Sequence, residues 1–176
     1  MNAILRATAT AAFLFMAWPT PAPLHAEPCR IGPVAFEAPT CTVEEGSEAA
    51  GPARSVQWKE GGKYYTVLVI AQKKRYSFRG YVARWRRIRG CTAHEIPVRH
   101  AIRFEGAPPE DKRSTPPQVT WAGGCMAPEW FINHAIGLKR VVVELRVTHV
   151  LTSGDPVPLE TALAAFLERV HLYPED

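Results

Sequence analysis

The sequence predicts an α+β fold: a mainly antiparallel sheet packed with helices, in a single compact domain stapled by two disulfides. Three observations lead there. From Lys139 to Leu151, the residues Val141, Val143, Leu145, Val147, His149 and Leu151 fall on one parity and Arg140, Glu144, Arg146 and Thr148 on the other, the period of two of a half-buried strand. After the turn Ser153-Gly154-Asp155-Pro156, the residues Leu159, Ala162, Leu163, Phe166, Leu167 and Val170 recur at helical spacing, with Pro158 suited to the first helical position. A helix with such a stripe must lie on a sheet. Elsewhere strands dominate, and helices intervene without strict βαβ alternation.

Residues 1–26 read as a secretory leader. Arg6 is its charged start, Ala7 to Trp18 its apolar run, and Pro19 to Ala26 its small-residue end, so cleavage is expected after Ala26. The apolar run is too short to span a bilayer, and no stretch of 27–176 is long and uncharged enough to do so. The expected product is a single exported domain over 27–176, periplasmic in a Gram-negative source and secreted otherwise. The leader carries one basic residue and no acid, so its removal lowers the formal charge of +4 by one. All four cysteines, Cys29, Cys41, Cys91 and Cys125, fall in the exported part, where an even number points to disulfides. Of the three possible pairings, Cys29 with Cys41 and Cys91 with Cys125 is the expected one. The first would pin the new N-terminus, and the second would tie two loops flanking the central strands. Loop closure gives about 3 kcal/mol for the short ring and about 4 kcal/mol for the long one.

In chain order, Val34 to Pro39 alternates and meets a proline, a short opening strand followed by a polar loop through Pro52. Val56 and Trp58 lead into Gly61-Gly62, and Tyr64 to Ala71 follows as an apolar run. Paired glycines between such runs supply the positive φ of a tight hairpin, with the Tyr64 strand expected to be central. Ser77 stands at an N-cap position, Phe78, Tyr81, Val82, Trp85 and Ile88 keep helical spacing, and Gly90 stands where the helix would end. Gly80 opposes that helix, and a twisted strand is the alternative. Ile96 to Phe104 alternates and reads as another strand, Gly106 to Pro117 as an exposed proline-rich loop, Val119 to Trp121 as a short strand, and Ala127 to Ile136 as a short helix opening at Pro128.

The opening Phe36-Glu37-Ala38-Pro39, the Gly61-Gly62 hairpin, and the closing strand and helix from Val141 to Leu172 together resemble the PsbP-like family of small α/β/α sandwiches. The resemblance implies a non-enzymatic accessory or binding module in an exported compartment. It carries over no catalytic residue.

Charge is strongly segregated. Between Gly61 and His94 stand nine basic residues and no acidic one: Lys63, Lys73, Lys74, Arg75, Arg79, Arg84, Arg86, Arg87 and Arg89. A cationic surface built from the eight between Lys73 and Arg89 would hold an acidic protein or an anionic envelope component, with Tyr76, Phe78, Tyr81 and Trp85 available for stacking. The bland alternative is a solvated helix face whose aromatics point inward. Nucleic acid ranks below an envelope or protein partner, because the chain is expected to be exported and carries no recognised nucleic-acid-binding motif.

His100 and His149 fall on otherwise apolar strand parities, and in the expected Ala127 to Ile136 helix His134 stands one turn from Trp130. The three are candidates for a zinc or copper site, without a tight ligand motif, against the commoner reading of hydrogen-bonded core histidines. A cysteine nucleophile can be sketched at Gly123-Gly124-Cys125 with His134 or His94 as base, but it needs a free thiol. No Gly-x-Ser-x-Gly stretch occurs. The sequence thus favours a binding protein without a cofactor that contacts its partner through the basic segment. An inhibitor or immunity-type protein against an exported enzyme is one alternative, and a metal-binding protein or small hydrolase is another.

Overall fold

The computed structural model describes residues 27–48, 50–72, 77–85, 91–108, 110–125, 129–150 and 159–174. The leader, the Ser153 to Pro156 turn and Pro158 lie outside them. Ten strands are described: β1 (Glu27–Ile31), β2 (Val34–Ala38), β3 (Glu44–Glu48), β4 (Gly51–Glu60), β5 (Lys63–Ala71), β6 (Cys91–Ile96), β7 (Gln118–Cys125), β8 (Glu129–Gly137), β9 (Val141–Val150) and β10 (Val170–Leu172). Two short helices join them, α1 (Phe78–Trp85) and α2 (Leu159–Leu167), of eight and nine residues.

Seven strands form one antiparallel sheet in the order β3-β4-β5-β9-β8-β7-β6, and β1-β2-β10 form a second, small one. The architecture is mostly antiparallel sheet, which corrects the α+β expectation. The expected Ala127 to Ile136 helix is the reason in part, because that run is strand β8. Its residues from Phe131 to Gly137 are all buried, and β8 pairs with β7 on one side and β9 on the other. A strand covered on both faces loses its alternation and reads as a continuous apolar run, which period alone cannot tell from a buried helix.

The same double burial applies to β9, which was expected to be half-buried. Val143, Leu145 and Val147 are fully buried on one face, and Val142, Glu144 and Thr148 are buried on the other. On the first face lie α2 and the small sheet. Trp58 stacks on Phe36 at 5.8 Å and on Tyr65 at 5.5 Å, and Phe166 of α2 meets Trp58 and Tyr65 edge-on, each at 5.4 Å. On the second face α1 sets Tyr81 against a core of Ala53, Ile70, Val119, Trp121, Phe131, Ala135 and Val142. Phe78 presses so closely on β8 that a Cβ at Gly137 would stand 2.5 Å from its ring, so only glycine fits there.

Turn and cap chemistry forms where the sequence places it. Gly61 and Gly62 take φ of 54° and 77° and join β4 to β5 with the paired positive φ of a tight hairpin. Ser77 caps α1, its Oγ accepting from the Gly80 N–H at 3.1 Å. The strand expected over Ile96 to Phe104 is not formed: β6 occupies Cys91–Ile96 instead and stops where Pro97 has no N–H to give to a ladder. Further on, Phe104 forms an isolated bridge to Leu172 of β10. The closing stripe is also shorter than expected: α2 ends at Leu167, and Val170 belongs to β10, paired with Phe36 of β2.

One disulfide is described, Cys29–Cys41 with a Cα separation of 5.4 Å, where two were expected. It ties β1 to the segment between β2 and β3. Cys91 stands opposite Cys125 in the β6–β7 register, and the Cys125 side chain lies outside the described residues.

Phe166 is fully buried where the two aromatic stacks meet, whereas Glu168, just past α2, is exposed. Phe166→Ala is expected to cost about 3–5 kcal/mol in urea unfolding through the cavity it leaves, and Glu168→Ala to leave the midpoint nearly unchanged.

Candidate functional site

The basic segment is held by its helix. Glu144, in the middle of β9 and only 1% exposed, accepts hydrogen bonds from the Tyr81 hydroxyl, from Trp85 Nε1 at 2.9 Å, and from Arg146 Nη2 at 2.6 Å. Arg146 also donates from Nε to Asn133 Oδ1 on β8 at 2.9 Å, and its guanidinium lies 4.9 Å from the centre of the Trp85 ring. Burial would pull the Arg146 guanidinium down, but the facing Glu144 carboxylate outweighs it and the net displacement is upward, so the guanidinium stays charged. Burial first, and the Glu144 charge second, push the Tyr81 phenol well above its usual range, so it remains a donor. A helix tied to the sheet at both Tyr81 and Trp85 cannot roll about its axis.

That restraint decides which side chains face outward. Tyr81 is buried, Phe78 and Trp85 are half-buried, and Arg79 and Arg84 are exposed. The described aromatics are therefore packing residues, and the stacking expected of them is corrected: Trp85 spends its ring on Arg146. Lys63 opens β5 at the hairpin. Lys73, Lys74, Arg75, Tyr76, Arg86, Arg87 and Arg89 lie outside the described residues.

The three candidate histidines do not converge. His149 sits beside the β4–β5 hairpin, with Nδ1 3.3 Å from the Gly62 carbonyl. His134 and His100 instead line one cleft of about 230 Å³ between α2 and the β6–β8 end of the large sheet. His134 is fully buried, on a strand instead of the expected helix, and both its nitrogens are engaged. Gln118 fixes its tautomer. The Gln118 Oε1 accepts from the Ile102 N–H at 2.9 Å while its Nε2 donates to the Ile102 carbonyl at 2.6 Å, so the amide orientation is set and His134 Nε2 must donate to Oε1 at 2.7 Å. Nδ1 then accepts from the Thr120 hydroxyl at 2.8 Å. With neither nitrogen spare, His134 is a poor metal ligand, and among the described residues no group of three His, Cys, Asp or Glu side chains is placed to hold a metal ion. The cysteine-nucleophile sketch has no described geometry, since the Cys125 side chain falls outside, and one of its two bases is already committed.

Sequence reasoning missed Glu144, Asn133, Thr120 and Gln118 as members of these networks. The available signal was a polar residue inside an otherwise apolar strand, because a buried polar group must find a partner.

No protein-family model and no curated protein matches the chain. Among the described residues, no helix is long and apolar enough to cross a membrane.

Burial, and secondarily the nearby His100, hold the His134 imidazole down at about 4 against an ordinary 6.5. The unfolded chain therefore binds the proton more tightly, so this contribution is complete above about pH 6.5 and is lost as pH falls toward 4, a difference of roughly 3 kcal/mol. Urea unfolding at neutral pH and near pH 4 is expected to show that additional loss in the parent and its absence in His134→Gln.

Proposed function

We propose that the chain is an exported, non-enzymatic binding protein that engages an acidic protein or an anionic envelope component through the cationic face carried on α1. The observation that carries this reading is the orientation of α1: its aromatic side is bonded to Glu144 and Arg146, which leaves Arg79 and Arg84 exposed. These two belong to a segment with nine basic residues and no acid from Gly61 to His94, a strongly cationic stretch. The leader pattern and the Cys29–Cys41 disulfide support an oxidising, exported setting. The resemblance to the PsbP-like family belongs to the same proposal, as an accessory role without catalysis.

Exposed charges attract over about 8 Å at physiological ionic strength, so binding through this face should weaken steeply with salt. In low salt the parent protein is expected to be retained on phosphatidylglycerol vesicles or on immobilised polyglutamate, and to be released as salt rises. Arg79→Glu with Arg84→Glu should lose most of that retention while melting at nearly the parent temperature. Equal retention of the folded double variant, or none by the parent on either polyanion, would mean that the segment is only a solvated face.

A further inference from the structure

The cleft containing His134 lies on the α2 face of the large sheet, opposite the face covered by α1, and the proposed cationic contact makes no use of it. We infer that it is a binding site for a small amphipathic carboxylate, held with its apolar body inward and its acid group at the mouth. The walls are apolar: Ile132 of β8, Ile96 and Pro97 at the end of β6, and Leu163, Ala164 and Leu167 of α2. At about 230 Å³ the cleft is smaller than the roughly 300–1,000 Å³ usual for drug-sized ligands, so its occupant is a small molecule.

The mouth sets the charge. Arg99 and His100 stand there with Glu160 of α2, and Arg99 Nη1 lies 3.8 Å from the Glu160 carboxylate. The two side chains are 73% and 60% exposed, so their pairing is weak and the guanidinium is available to a better acceptor. A guanidinium can take both oxygens of a ligand carboxylate at once, which a lone ammonium cannot. Glu160 works against such a ligand and must turn toward solvent as it enters.

The floor sets the polarity at the other end. His134 gives its only N–H to Gln118, and the Thr120 hydroxyl gives its proton to His134 Nδ1, so the remaining capacity of the Thr120 oxygen is to accept. An occupant with a hydroxyl at its inner end gains a hydrogen bond there, and one ending in a carbonyl gains none. A hydroxyaryl carboxylate meets all three demands.

The test is amide-resolved NMR titration of the full exported chain with 4-hydroxyphenylacetate, phenylacetate and tyramine. Saturable shifts confined to residues around Thr120, Ile132 and Ala164 are expected. 4-Hydroxyphenylacetate should bind several-fold more tightly than phenylacetate, and the cation tyramine more weakly than both. Ala164→Trp, which fills the cleft, should reduce affinity at least tenfold, Arg99→Gln should weaken the two acids without weakening tyramine, and Glu160→Gln should strengthen the acids. The inference fails if neither acid gives saturable shifts at its solubility limit, if the shifts map elsewhere, or if tyramine binds as well as the acids. It fails equally if a folded Ala164→Trp protein binds like the parent. Should that variant not fold, the response of the acids to Arg99→Gln decides alone.

Discussion

A strand buried on both faces imposes the rest of this architecture. β9 lies at the middle of the seven-stranded sheet with Val143, Leu145 and Val147 directed to one core and Val142, Glu144 and Thr148 to the other. Each large apolar side chain removed from water contributes about 1.5–3 kcal/mol, which requires a cover on each side of the strand. The covers come from separate parts of the chain. The first face takes β1 and β2 from before the large sheet, and α2 and β10 from after it, with β10 returning to pair with β2. The second face takes α1, from the connection between β5 and β6. Cys29–Cys41 then fixes the outer strand of the small sheet to the chain that leaves it.

Glu144 makes the second cover directional. An apolar residue at that position would bury as well, and removing a charge from water costs several kcal/mol unless it is paired and hydrogen-bonded. Its partners are Arg146 two residues along the same strand and two donors from α1, Tyr81 and Trp85. Hydrophobic contact alone would let an eight-residue helix slide or rotate on the sheet. Hydrogen bonds from positions one turn apart to a single carboxylate leave one rotation, with Arg79 and Arg84 on the solvent side. The outward charge of the helix is therefore a consequence of the inward charge of the sheet.

What was legible in the sequence follows from where local chemistry decides. The Gly61-Gly62 hairpin, the Ser77 cap and the Leu163 to Leu167 stripe depend on backbone φ, a nearby N–H or a single amphipathic face, and the structure forms each where the sequence predicts it. β8 and β9 depend on two layers of tertiary cover, which erases the contrast between their faces, so from sequence one reads as a helix and the other as half-buried. β1, β3, β6 and β10 are not legible as strands in the sequence, β3 and β10 for different reasons. β3 is Glu-Glu-Gly-Ser-Glu with every residue exposed, a strand maintained by pairing with β4 at the sheet edge and not by any apolar pattern. Its three glutamates are a means of keeping an edge strand from recruiting another chain. β10 has only three residues, too few to show a period. Of the candidate site, the basic composition was visible but its geometry was not, because the orientation of α1 depends on Glu144, far away in sequence.

The same dependence on distant partners shapes the cleft on the other face. Pro97 takes the chain out of the sheet, and the segment that follows has no ladder to hold it until Gln118 grips both backbone groups of Ile102. Gln118 opens β7 and is itself bonded to His134 on β8, so the clamp is anchored in the sheet through a neutral imidazole. Arg99 and His100 lie between Pro97 and that clamp, and a segment tied at both ends stays over the cleft mouth. Protonating His134 would place a second N–H on the ring, opposite a Thr120 hydroxyl that must then turn from donor to acceptor. Acid would therefore act first on the floor of the cleft and, through Gln118 and Ile102, on the segment that carries its two mouth residues. The buried histidine that looked like a metal ligand is better understood as the joint between the sheet and the rim of the cleft.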